Sequence, residues 1–289
     1  MTLTPEKEPF FSKSALGVIR AVFLTRVRHM TRYKGWLFLS VVIPLIFSAL
    51  PILMGTAVAG SLNQAAINFQ KNVGTSNYIL FSLIGTALWL LASDLLWDFG
   101  MWIHDEQQQG TLEQNLVAPV NILWIVIGSG LFAVLLSGFQ FLAVLVVGGI
   151  VYNVFWDLIT PDILLALAFL VLGMIPLIGI SLFLGSIIIR FKEANSLVNL
   201  LQPVFAFLMG VFYPITILPY IVRMIAIALP LTIATNDIRA VLLNTQYVFN
   251  IWIDFAFIGF YAIFWPLIGL YFFKRVEKKA KKKGTIGAY

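Results

Sequence analysis

Six stretches of this chain are long and apolar enough to be candidates for crossing a bilayer. They run from about Trp36 to Ala59, Tyr78 to Trp97, Leu123 to Val151, Pro161 to Ile189, Asn195 to Phe212 and Phe249 to Phe273. A helix needs about 20 apolar residues to cover a hydrocarbon core of ~30 Å. Backbone groups in lipid must be satisfied within the segment, so such runs fold as helices. Composition agrees: 60% of the 289 residues are hydrophobic and 11% are charged, against roughly 25% charged in soluble domains. No polar stretch is long enough to form a second, soluble domain.

Ahead of the first run lies a basic segment, and residues 9–34 read as an amphipathic helix. Lys13, Arg20, Arg28, Arg32 and Lys34 fall on one side, and Leu16, Ile19, Val22, Phe23, Val27 and Met30 on the other. Arg26 is the exception, a cation on the apolar side. Such a helix lies in a membrane interface with its cations towards anionic headgroups, or packs on another protein. The first apolar run exceeds the apolar region of a signal peptide, so no cleavable leader is expected.

The connections carry their own signals. Pro44 and Pro51 lie inside the first run and are expected to kink it. Residues 61–77 read as a polar connector. Thr160-Pro161-Asp162 has the order of a helix start, with a cap, a proline and an acid. Arg190-Phe191-Lys192-Glu193 separates the fourth run from the fifth, which Pro214 is expected to end. Residues 214–246 are too apolar for a free loop, yet Pro214, Pro219 and Pro230 cut them into pieces too short to span. Two short re-entrant helices, Leu218–Leu229 and Leu231–Leu243, are the expectation there, because broken backbone at membrane depth must be buried in protein or line a cavity.

Six spans place both termini on one side, and that side carries 16 of the 19 Lys and Arg, leaving Lys71, Arg223 and Arg239 opposite. The positive-inside rule makes the termini cytoplasmic. The expected fold is therefore an all-α integral membrane protein. It has an interfacial helix over residues 1–35, a six-span domain over 36–273 with two re-entrant helices between spans five and six, and a basic tail over 274–289. The clustered charge is a topology signal, so no nucleic-acid partner is expected.

Several chemistries are excluded or weakened. There is no cysteine and only two histidines, His29 and His104, which argues against thiolate, haem or histidine–zinc sites. A phosphate-binding GxxxxGK loop is absent, so the chain shows no ATP site of its own. No internal repeat of the kind common in secondary carriers is visible. Asp94 and Asp98 share one face of the second span, and intramembrane acids are functional candidates. A structural or gating role near the cytoplasmic mouth, with Arg32, Lys34 or Arg190 as partners, is the first reading. A membrane-embedded prenyl or lipid transferase using both aspartates is the alternative, although a second metal-binding aspartate motif is missing. An ion-coupled carrier is a third. Phe205, Phe207, Phe212 and Tyr213 either line a translocation path or pack. Trp36, Trp102, Trp124 and Trp252 sit near span ends as interfacial anchors do.

One segment stands apart. Asp105–Pro119, DEQQQGTLEQNLVAP, is acidic and polar, lies on the cytoplasmic side and has no Lys or Arg. It reads as a surface for a basic partner in water. Here the chain resembles the permease subunits of type 2 ATP-binding-cassette (ABC) exporters, in which an acidic run after the second span leads into Gly-Thr-Leu-Glu and a hydrophobic pair before Pro. The matching residues are Glu106, Gly110, Thr111, Leu112, Glu113, Leu116, Val117 and Pro119. Gln107-Gln108-Gln109 stand where the family usually has a second acid. Gly210-Val-Phe-Tyr-Pro214, Leu218-Pro219, Leu229-Pro230-Leu231-Thr232 and Asp237-Ile-Arg239 resemble the family's fifth-span end and extracellular helices.

The resemblance implies a permease that dimerises, as a homodimer or heterodimer, above two ATPase subunits that bind the ATP and Mg. This chain then needs no cofactor and is not itself an enzyme. Asp105, Glu106, Gly110, Thr111, Leu112, Glu113 and Pro119 would couple to the ATPase, with Gly110 as a turn and the acids as charge contacts. Asp94, Asp98, Phe205, Phe212 and Tyr213 would form the path or gate, and Pro214, Pro219, Pro230, Asp237 and Arg239 the re-entrant region. An amphiphile such as a drug, a lipid or a lipid-linked glycan is the implied cargo, and the plasma membrane the implied location.

Overall fold

A computed structural model describes residues 13–111, 114, 120–158, 160–188 and 194–283. Among them the chain is helical, with no strand. The helices are α1 (Lys13–Arg32), α2 (Lys34–Ala59), α3 (Leu62–Val73), α4 (Tyr78–Gly100), α5 (Trp102–Gln108), α6 (Ile122–Val151), α7 (Ile163–Ile188), α8 (Ala194–Leu208), α9 (Tyr220–Ile227), α10 (Pro230–Leu243) and α11 (Ile251–Lys283).

Five helices have the length and apolarity to cross a membrane: α2, α4, α6, α7 and α11. The expected fifth span, Asn195–Phe212, is shorter than its sequence suggests. α8 stops at Leu208, and its 15 residues cover roughly 22 Å at 1.5 Å per residue. Gly210 ends it in a left-handed turn (φ 62°). Its N–H donates to the Phe207 carbonyl at 3.1 Å, and the Val211 N–H to Ala206 at 3.3 Å. This pair of bonds closes a helix C-terminus before Pro214 is reached. The two short helices foreseen after it are present as α9 and α10, bent by 94° to one another. They form either a broken sixth span or a re-entrant pair.

Three local expectations change. The polar connector 61–77 contains a helix, α3, whose Ser61 hydroxyl accepts from the Gln64 N–H at 3.2 Å. Ala65, Phe69 and Val73, spaced by four, turn into the core and hold the segment down. The start read at Thr160 falls two residues later. The Asp162 carbonyl takes the Ala166 N–H at 3.1 Å, and the Thr160 hydroxyl makes no hydrogen bond. The last apolar span ends near Val276, close to the expected Phe273, but its helix does not stop there, since α11 runs on through the basic stretch to Lys283.

α4 is the hub. Leu80, Leu83, Ile84, Leu88, Leu91 and Leu95 are fully buried, and α4 packs against α2, α6, α7, α8 and α10. Its buried apolar residues are spread around the helix, as in a helix enclosed by others. α2 and α11, by contrast, are mostly exposed along their apolar lengths. The most extensive pairing joins α7 and α11. There a Cβ on Gly179 would overlap the backbone of Trp265 and Pro266, and one on Gly269 the carbonyl of Gly179. Small residues let helix backbones touch where lipid offers no hydrophobic drive for association.

Candidate functional site

The segment after α4 is built as a short, closed helix. Met101 continues the turn by donating to the Trp97 carbonyl at 2.8 Å, and Asp105 donates back to Met101 at 2.9 Å. α5 ends at Gly110, in a left-handed turn (φ 68°), and the Thr111 N–H returns to the Glu106 carbonyl at 3.0 Å. This is the six-to-one bond of a glycine-capped helix end, so the turn expected at Gly110 is present. Gln108, Gln109 and Gly110 are exposed. Leu112, Glu113, Leu116, Val117 and Pro119 lie outside the described residues.

Glu106 does not face water. It is buried, with Oε1 accepting from Arg26 Nη2 at 3.2 Å and Oε2 from the Thr111 hydroxyl at 2.5 Å. This accounts for Arg26, the cation on the apolar face of α1. The face that holds Ile19, Val22, Phe23, Val27 and Met30 is turned towards α6, where Gly128 lets the backbone at Ile19 approach, while Leu16 is exposed. Arg26 reaches past that contact to α5. The sequence offers Arg32, Lys34 and Arg190 as partners for Asp94 and Asp98. Arg32 is exposed, and the Lys34 side chain and Arg190 lie outside the described residues. The Arg26–Glu106 pair is half in water, so its strength is modest. Arg26→Ala and Glu106→Gln are each expected to lower stability by about 1 kcal/mol, and the double variant by little more than either. Thermal unfolding of the four proteins of that cycle checks this, and additive losses would deny the pairing.

Asp94 and Asp98 share one face of α4. Asp98 is exposed at its end and Asp94 half-buried one turn deeper. Asp105, half-buried on α5, has its carboxyl raised above the usual carboxylate range, chiefly because burial disfavours the charge. His104 and Arg26 oppose that rise, and Glu106 adds to it. Trp102, expected as an interfacial anchor, is buried and walls a cavity of about 430 Å³ between α1, α4, α5 and α6. Asp98 and Asp105 line that cavity too.

The path candidates separate. Phe212 and Tyr213 line a larger cavity, about 780 Å³, bounded by α2, α3, Trp89 of α4 and the stretch up to Ile217. Among the described residues, no charged side chain lines it. Asn68, Asn72 and the hydroxyls of Tyr78 and Thr86 supply its polar groups. Phe205 sits apart, in a small gap with Leu96, Leu177 and Met209.

At the opposite end of α4, Arg239 of α10 is buried. Its guanidinium donates to the carbonyls of Phe81 (3.2 Å), Gly210 (2.8 Å) and Val211 (2.5 Å) and lies 3.6 Å from the centroid of the Phe81 ring. It thus joins α4, the end of α8 and α10. A Cβ at Gly85 would strike it. Asp237 and Asp254 are buried near one another, and Pro230 is buried at the start of α10. Pro214 is buried and Pro219 exposed, each preceding a short helix. Sequence reasoning had not given Arg239 this knitting role. The available signal was a cation within an apolar stretch that follows a glycine-ended helix, whose last carbonyls are left open. Among the described residues, no three His, Cys, Asp or Glu side chains are grouped to hold a metal ion.

No protein-family model matches the chain, and no curated protein matches it.

Proposed function

We propose that this chain is the membrane subunit of an ATP-driven exporter of the ABC type 2 class, acting on an amphiphile and powered by two separate ATPase subunits that bind ATP and Mg. One observation carries the reading. A short, glycine-closed helix follows the hub span and is pinned by Glu106 to the amphipathic helix α1. A push on the exposed end of α5 therefore has two rigid routes inward, along α4 and through α1 into α6. A chain without its own phosphate loop needs such a lever.

In this reading Glu106 transmits force inside the subunit. Gln108, Gln109, Gly110 and Thr111, with Leu112, Glu113 and Pro119, form the partner-facing surface, and half-buried Asp105 lies behind it. α8 with its continuation is the fifth span, α9 and α10 are re-entrant, and both termini are cytoplasmic. The exposed apolar lengths of α2 and α11 contact lipid or a second copy of the chain. The large uncharged cavity beside Phe212 and Tyr213 belongs to the path, with Asp94 and Asp98 at its cytoplasmic gate.

The test uses the full chain, affinity-purified from its own membranes in mild detergent. A co-purifying polypeptide labelled by azido-ATP is expected with the wild type. Gln109→Lys combined with Glu113→Lys reduces its recovery at least tenfold while leaving membrane insertion unchanged. Wild-type protein that carries no ATP-binding polypeptide sinks the reading.

A further inference from the structure

The 430 Å³ cavity at the α1 end of the bundle differs from the larger one in chemistry. Three aromatic rings, from Tyr33, Trp102 and Phe132, contribute to its wall, together with the carboxyl groups of Asp98 and Asp105. Arg26 and His29 line it too, and His104 of α5 stands near Asp105. Arg26 is turned to Glu106, so that pair is close to neutral. The His29 ring lies against Tyr33, 5.0 Å between centroids. Among the described residues, no side chain donates a hydrogen bond to the carboxylate of Asp98 or Asp105. Two carboxylates thus remain at a cavity with aromatic and aliphatic walls, the latter including Met30, Ala133 and Leu136.

We infer that this cavity binds an organic ammonium group carried on an amphiphile. Aromatic faces attract a weakly hydrated cation through their quadrupoles, and the two carboxylates supply the net charge. A headgroup whose only charge is a sulfate or phosphate would meet two like charges at close range. A divalent metal would want a fuller set of carboxylate ligands than the two found here. The volume lies within the range of small-molecule sites. The cavity also lies beside the basic amphipathic helix, a kind of helix that takes the headgroup level of a bilayer. An alkylamine and the ammonium headgroup of an aminophospholipid share this chemistry. The site needs no ATPase, so it stands or falls independently of the exporter reading.

The full chain is placed in nanodiscs of phosphatidylglycerol alone and titrated with hexyltrimethylammonium, its uncharged carbon isostere and hexyl sulfate, against protein-free discs. Saturable binding of one ammonium per chain is expected, with both analogues at least tenfold weaker. Asp98→Asn combined with Asp105→Asn should weaken the ammonium at least tenfold, and Asp105→Glu less than threefold. Adding phosphatidylethanolamine to the discs separates the sources. A rise in apparent Kd assigns the site to the lipid headgroup, and an unchanged Kd assigns it to free amphiphilic amines. The proposal is overturned by equal binding of ammonium and carbon isostere to wild-type protein, a comparison that needs no variant to fold. Undiminished binding in a folded double variant overturns it as well.

Discussion

Arg239→Met is expected to lower the free energy of unfolding by about 3 kcal/mol or more, the largest loss from any single polar side chain described. The substitution keeps much of the aliphatic volume and removes the fork of donors. The carbonyls of Gly210 and Val211 then lose this donor, and that of Phe81 its bond beyond the helix, in a place water does not reach, since Arg239 is 3% exposed. An unpaired buried polar group costs about 1–3 kcal/mol, and the stacking on Phe81 is lost as well. Arg239→Lys should fall between, because a single ammonium cannot address carbonyls on three elements in one plane. Denaturant unfolding of the detergent-solubilised protein provides the measurement. A methionine variant within about 1 kcal/mol of wild type would show that the guanidinium contributes little.

Gly179→Ile should prevent the α7–α11 pair from closing. The clash is with main chain, Trp265 and Pro266 on α11, so no rotamer change relieves it and the helices must separate. Overpacking typically costs about 1–3 kcal/mol when side chains can adjust, and here they cannot. Little monodisperse protein is expected, with a midpoint for thermal unfolding far below wild type. Gly259→Ile supplies the control on α11 itself. A Cβ there meets nothing within 4 Å, so its stability should stay within about 0.5 kcal/mol. Equal behaviour of the two variants would remove close backbone packing as the reason for Gly179.

Much of the helical layout was legible because apolar run length and proline placement act locally. The boundaries of α2, α4, α6, α9 and α10 follow closely from those signals. α8 was misjudged because an apolar run persists beyond Leu208 while the backbone has already left the helix at Gly210. Hydropathy does not register φ. α3 was read as connector because its apolar positions are few, and only packing under Tyr78 and Phe81 shows that they suffice. The same holds for the candidate site. The turn at Gly110 could be read directly, since a glycine after a polar helical stretch marks a C-terminus. The inward direction of Glu106 could not.

The acidic segment after the hub span, the basic amphipathic helix and the broken helices after Pro214 were determined by sequence alone, because each rests on periodicity, charge or backbone chemistry within a few residues. Tertiary structure alone decided which charges meet. Arg26 and Glu106 are 80 positions apart, and Arg239 reaches Phe81 across 158. Such pairings depend on how helices pack in space, and the linear spacing of residues carries no record of that.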